Sequence, residues 1–373
     1  MTPNLPASSN SPYLFEKGFI QAAIFFYALA GTVLLVWDGR THTHLLSPYT
    51  VAVVHLYVLG VLTIALIGLG LKQLPIWTGL PLPWPQLNRW ILSALIVGAL
   101  TVFLGIGTNL HRWNLLAASA GVGFGVGFFL AQAGKMLLQT ARHDGLILLL
   151  KLSILSLAGV LTLGAIFLGE YAHGFLTFDR LAMLGTHLTL GIYGWAGLML
   201  MALRHSFGLS AHARENALPM FPVIGAFLSL AFIPYMLFKP DSGEYWLWSS
   251  ILPGFASIVM LSVQTAYNRF WRVADFFGVA AFLVLCTWPV WPDERARFLF
   301  GVLILPGWTL GQLLGLFDHL RPGKIGLLLL IIHTTTVLLL AIGLFLPWRE
   351  IWQTGGATML LSSLLFVIAA KKR

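Results

Sequence analysis

Charge is what this 373-residue chain has least of: 22 Lys and Arg and 13 Asp and Glu, 9% of the residues, against about a quarter in a soluble domain. That scarcity excludes a soluble globular protein. Its single cysteine, Cys286, excludes an internal disulfide and a covalent C-x-x-C-H haem attachment, so any haem here is non-covalent. No chain of acids lies inside the apolar segments, which counts against an ion-driven transporter. Asp275 and Asp318 fall near the inner ends of theirs.

What remains is apolar: 58% hydrophobic residues and a mean hydropathy of +0.85. This composition predicts an all-α, polytopic integral membrane protein, with the lipid bilayer as its first partner. Windows of about nineteen residues place about twelve helices. The first six lie near Gly18 to Trp37, Tyr49 to Leu71, Trp90 to Thr108, Trp113 to Leu138, Leu146 to Gly169 and Leu181 to Leu203. The second six lie near Ala217 to Phe238, Tyr245 to Tyr267, Ala274 to Trp291, Phe298 to Asp318, Ile325 to Leu346 and Thr354 to Ala370. The first is too long for a signal-peptide core and reads as a retained helix.

Basic residues are denser in the loops that share a side with the N-terminus, among them Lys72, Arg89, Arg142, Arg204, Arg269 and Arg272. The positive-inside rule then puts both termini in the cytoplasm. The domain expectation is a cytoplasmic segment 1–17, one twelve-helix transmembrane domain 18–370 and a basic tail 371–373, in the inner membrane of a prokaryote. The net charge of +9 reads as topology and anionic-lipid contact rather than nucleic-acid binding.

Two histidines stand inside apolar segments at matching depth: His55 in V-V-H-L-Y-V-L-G and His187 in T-H-L-T-L-G-I-Y-G-W. An imidazole in hydrocarbon must be desolvated and needs a partner, which makes it a functional-site candidate. Both helices enter from the same face, so the two rings can share one ligand. Below His187, Gly191 and Gly194 fall on its helical face and leave a groove where a macrocycle edge can sit, or where a neighbouring helix can approach. His333, in L-I-I-H-T-T-T-V, is a further metal candidate about 10 Å deeper, or polar glue beside its threonines. Each histidine also has the plain reading of a hydrogen-bonded structural residue.

Three other features carry less. Gly121, Gly123, Gly125 and Gly127 read as overlapping G-x-x-x-G helix packing. Lys135 and Lys151 read as side chains that snorkel to the interface. His42 and His44 form an H-x-H in a loop without a cysteine or carboxylate to complete a metal site.

The segments V-V-H-L-Y-V-L-G-V-L-T-I-A-L-I-G-L-G-L-K-Q-L-P and H-L-T-L-G-I-Y-G-W-A-G-L-M-L-M-A-L-R, with N-A-L-P-M-F after the latter, resemble haem-copper oxidase subunit I-like membrane proteins. G-W-T-L-G-Q-L-L-G-L-F-D-H-L-R-P is similar to the tenth-helix region of that family, and Q-L-P-I-W-T-G is similar to the NnrS family of haem- and copper-containing membrane proteins. The resemblance implies a twelve-helix oxidase-like bundle in which His55 matches an axial ligand of the low-spin haem and His187 a copper ligand. The chain departs from the pattern where a seventh-helix histidine pair and two tenth-helix histidines are expected and absent. One copper ligand without its pair leaves that metal undercoordinated, so terminal oxidase activity is rejected.

Three expectations follow. The first is a haem-binding membrane protein, b-type or similar, in respiratory electron transfer or in handling nitric oxide or another small gas. Its cofactor set is His55, His187, Gly191 and Gly194, with copper as the other metal for His55, His187 and His333. The second is a non-catalytic accessory or scaffold subunit docked to a respiratory-chain partner. The third is a transporter of copper or another small solute. Whether the chain is an enzyme stays open at this point.

Overall fold

Hydrocarbon offers no hydrogen-bond partners, so apolar runs must satisfy their own backbone as helices. The computed structural model describes residues 13–36, 47–107, 112–173, 180–208, 268–287, 294–320, 325–346 and 349–371. Among them the chain is all helical. The helices are α1 (Tyr13–Val36), α2 (Pro48–Thr78), α3 (Asn88–Gly107), α4 (Arg112–Gln139) and α5 (Gly145–His173), followed by α6 (180–208), α7 (Arg269–Thr287), α8 (294–320), α9 (Ile325–Gly343) and α10 (Arg349–Lys371). Nine of these are long and apolar enough to cross a membrane. The protein is therefore a polytopic membrane protein; the expected segments Ala217 to Phe238 and Tyr245 to Tyr267 lie outside the described residues.

The inner layer is α2, α6 and α8, each of which touches the other two. Outside them α1 packs on α10, α10 on α9, α3 on α4, α4 on α5, and α5 on α6. Side chains such as Phe25, Trp90, Val97, Leu155, Ile331 and Leu364 are exposed, which is the surface that apolar lipid covers.

All three inner helices share one irregularity. Each contains an eight-residue π-helical stretch: Leu56–Thr63 in α2, Leu190–Gly197 in α6 and Leu303–Leu310 in α8. Such wide turns are uncommon, and they concentrate at functional sites. The fifth residue of each stretch is glycine. A Cβ on Gly60 would meet Phe26 of α1 at 2.4 Å, one on Gly194 would meet Ser156 of α5 at 2.5 Å, and one on Gly307 would meet Phe277 of α7 at 2.9 Å. Eight residues further on, Gly68 meets Phe19 of α1, Ala202 is buried, and Gly315 meets Trp271 of α7. In the helix pairs α1–α2, α5–α6 and α7–α8 the wide turn is thus seated on the preceding helix each time.

The wide turns also free backbone acceptors. The Tyr57 hydroxyl donates to the Leu305 carbonyl at 3.0 Å, and the Thr309 hydroxyl donates to the same oxygen. The next residue, Pro306, has no N–H to give to the ladder.

At the end away from the histidines, Arg204 of α6 donates through both terminal nitrogens to the two Asp275 oxygens of α7, each at 3.1 Å. Gln312 of α8 accepts from Arg204 at 3.1 Å and donates to Asp275 at 2.8 Å. The guanidinium also stacks 4.9 Å from the Trp271 ring centre. The sequence reads Arg204 as a topogenic loop residue; the structure buries it at 3% exposure, because Asp275 on a neighbouring helix meets it. The same end is closed by Arg142, which donates to the Trp77 carbonyl at 2.9 Å and pairs with Asp144.

Removing one partner of a buried ion pair leaves a bare charge and costs about 3–5 kcal/mol. Asp275→Ala is therefore expected to lower the melting temperature in detergent strongly. Arg204→Met combined with Asp275→Leu should recover most of the loss. Equal melting of wild type and Asp275→Ala contradicts a structural role for the pair.

Candidate functional site

His55 is the eighth residue of α2 and directly precedes its π stretch; His187 lies three residues before that of α6. Both therefore stand at the entrance to the π stretch of their helix. Their imidazole rings stand 6.5 Å apart between centres, with planes inclined by 27°. Two residues 132 positions apart in sequence form one pair.

The two rings are held differently. His55 Nδ1 donates to the Val51 carbonyl one turn back at 2.7 Å, which fixes the tautomer and presents Nε2. His187 Nδ1 is buried without a hydrogen-bond partner. Its ring is seated on α5 by Phe167, whose ring stands edge-on at 5.7 Å and 90°. The Val160 carbonyl lies to its side without normal hydrogen-bond geometry. Gly164 lies against the ring: a Cβ there would come 3.5 Å from His187 Cε1 and meet nothing else. Val160, Gly164 and Phe167 recur at i, i+4 and i+7, so one face of α5 is the wall beside His187.

The surroundings of the pair are more exposed than the level below it. Residues 60–71 of α2 and 192–205 of α6 are buried without a break, whereas Val54, Val58, Val160, Gly164, Leu188 and Gly191 are half-buried, as are both histidines. Gly191 meets only Val160, at 3.8 Å from a would-be Cβ, and Gly194 is filled by Ser156. Of the two glycines expected under a macrocycle, Gly194 serves the contact of α6 with α5, and Gly191 borders the more exposed region.

No group of three His, Cys, Asp or Glu side chains that could enclose a metal ion is found among the described residues. A site here has two protein ligands. A metal bonded to one nitrogen of each ring at about 2.0 Å, with the ring centre roughly 1.1 Å beyond, gives centres about 6.3 Å apart if the two bonds are collinear and about 5 Å if they are tetrahedral. The observed 6.5 Å matches the collinear case. His55 and His187 would be the two protein ligands of a haem or of a copper(I) ion held there. The unpartnered His187 Nδ1, the half-buried surroundings and the nitrogen donors fit such a group.

His333 stands elsewhere. It lies on α9, 1% exposed, with Nε2 3.6 Å from a would-be Cβ on Gly311 of α8. Gly311 is six residues past Leu305, the residue that meets Tyr57, so the ring sits about 9 Å further along the bundle. Neither of its nitrogens makes a hydrogen bond of normal geometry, although the Gly307 carbonyl of α8 lies beside the ring. Thr336, one turn away, bonds Thr358 of α10 at 2.8 Å.

Other sequence readings resolve as follows. Gly121 packs on Gly98 and Gly125 on Leu95, while Gly123 and Gly127 meet nothing within 4 Å. Lys135 reaches the ring of Trp84 at 5.0 Å, at the helix end. Glu170 lies inside α5 rather than in the loop that follows it, and it is buried. His42 and His44 lie outside the described residues.

Comparison with protein-family models and with curated proteins finds no match. The functional reading therefore rests on the site itself.

A histidine with neither nitrogen in a normal hydrogen bond in an apolar interior contributes little that leucine cannot. Replacing a buried polar group by an apolar one of similar shape is near neutral or stabilising. His333→Leu is expected to melt within a degree or two of wild type, or above it. A loss of ten degrees would reveal a polar partner and return His333 to the site inventory.

Proposed function

We propose that this is a haem-binding membrane protein in which His55 and His187 would together hold one non-covalent haem, b-type or similar. The observation that carries the reading is the 6.5 Å separation and 27° inclination of the two imidazoles. A haem supplies four in-plane nitrogens of its own, so two protein ligands suffice. Bound there, it supplies one-electron redox chemistry and affinity for small diatomic gases. The protein fixes the His55 ring through Val51, seats the His187 ring on α5, and keeps the site inside apolar helices.

The working role is electron transfer or the handling of nitric oxide or a similar gas in the cytoplasmic membrane of a prokaryote, with both termini inside. The resemblance of the two histidine segments to oxidase subunit I-like and NnrS-like proteins supports the same chemistry. The missing histidines of the seventh and tenth helices argue against oxygen reduction. Copper handling is the second reading, favoured by a ring separation of 6.5 Å that suits two-coordinate copper(I). An accessory subunit without a cofactor is what remains if neither metal binds.

The test is an absorption spectrum of the protein purified in detergent after expression with added haem precursor, with a pyridine haemochrome assay and copper analysis. Wild type is expected to carry about one haem per chain, with a Soret band that is lost in both His55→Ala and His187→Ala. Folded wild type that is colourless and free of copper contradicts any metal reading. Stoichiometric copper without haem replaces the first reading by the second.

A further inference from the structure

The two histidines are not equivalent, and the difference has a chemical consequence. A ligating imidazole whose other nitrogen donates to a carbonyl is held in orientation and made more basic, and it binds metal more firmly. His55 has that support at 2.7 Å from Val51, within its own helix. His187 has no such bond within its own helix: its buried Nδ1 has only the Val160 carbonyl of α5 beside it, outside normal hydrogen-bond geometry.

What holds His187 is contact alone. Phe167 stands edge-on to the ring at 5.7 Å, and on the Cε1 side α5 offers Gly164. The missing Cβ leaves a space whose filling would just reach the ring, at 3.5 Å, and touch nothing else. A ring without a hydrogen bond, with room beside it, can turn away on its own side-chain torsions while the helix stays in place. His55 cannot do so without breaking its bond to Val51.

We propose that His187 is the exchangeable ligand of the pair and His55 the fixed one, so that a small neutral diatomic molecule takes the position that His187 vacates. This rests on the haem reading above and names its ligand class and the side on which the ligand arrives. The exchange replaces one metal–nitrogen bond by one bond to the incoming molecule; no electron is transferred and no proton is needed. Two residues of α5 tune it in opposite senses. Phe167 restrains the ring, and the absence of a side chain at Gly164 leaves it room.

Carbon monoxide titration of the dithionite-reduced protein, followed by absorption, tests this, with haem content measured in parallel. Wild type is expected to bind carbon monoxide. Phe167→Ala should bind it several-fold more tightly, and Gly164→Ala several-fold more weakly, at unchanged haem content in both. Opposite signs for two small substitutions on one helix face separate control of the ring from general destabilisation. Wild type that holds haem but takes up no carbon monoxide overturns the proposal while leaving the haem reading intact; so do Phe167→Ala and Gly164→Ala variants whose affinities shift in the same direction or not at all. Wild type without haem overturns the reading on which the proposal stands.

Discussion

The site depends on how three wide-turn glycines are seated. Gly60, Gly194 and Gly307 lie so close to Phe26, Ser156 and Phe277 that a Cβ would collide in each case. Each contact locks an inner helix at one height on the helix that precedes it. His55 lies one residue and His187 three residues before the π stretch of its helix, and their ring centres come within 6.5 Å of each other.

The energetic pattern follows from the solvent. In hydrocarbon an unmet polar group is expensive, and the interior meets that cost in two ways. At one end Arg204, Asp275 and Gln312 satisfy one another and pin α6, α7 and α8 together. At the level of the wide turns the backbone itself becomes the acceptor, as Leu305 does for Tyr57 and Thr309. The histidine level departs from this economy: its residues are half-buried and the His187 Nδ1 makes no hydrogen bond of normal geometry.

Much of this was legible in the sequence, for identifiable reasons. Long apolar runs with sparse charge can only be membrane helices, and ten of the twelve expected segments match α1 to α10 to within several residues, the other two lying outside the described residues. The equal depth of His55 and His187 followed from counting residues from the helix entrances. The wide turns did not follow, because a π stretch changes hydrogen-bond spacing without changing hydrophobicity. Their trace was present all the same, in L-G-V-L-T, Y-G-W-A-G and P-G-W-T-L-G. Arg204 was taken for a loop residue because charge statistics do not reveal a partner 71 positions away. Gly194 was ambiguous between groove and helix contact, and only Ser156 on the adjacent helix decided it.

The central claim is that the two imidazoles bind one metal on a common axis with their planes close to parallel. Electron paramagnetic resonance of the oxidised, haem-loaded protein reads that relation directly. Planes inclined by 27° predict a rhombic low-spin ferric spectrum with three resolved features. A single strongly anisotropic low-spin feature, which perpendicular imidazoles produce, or a purely high-spin spectrum would contradict the shared bis-histidine axis.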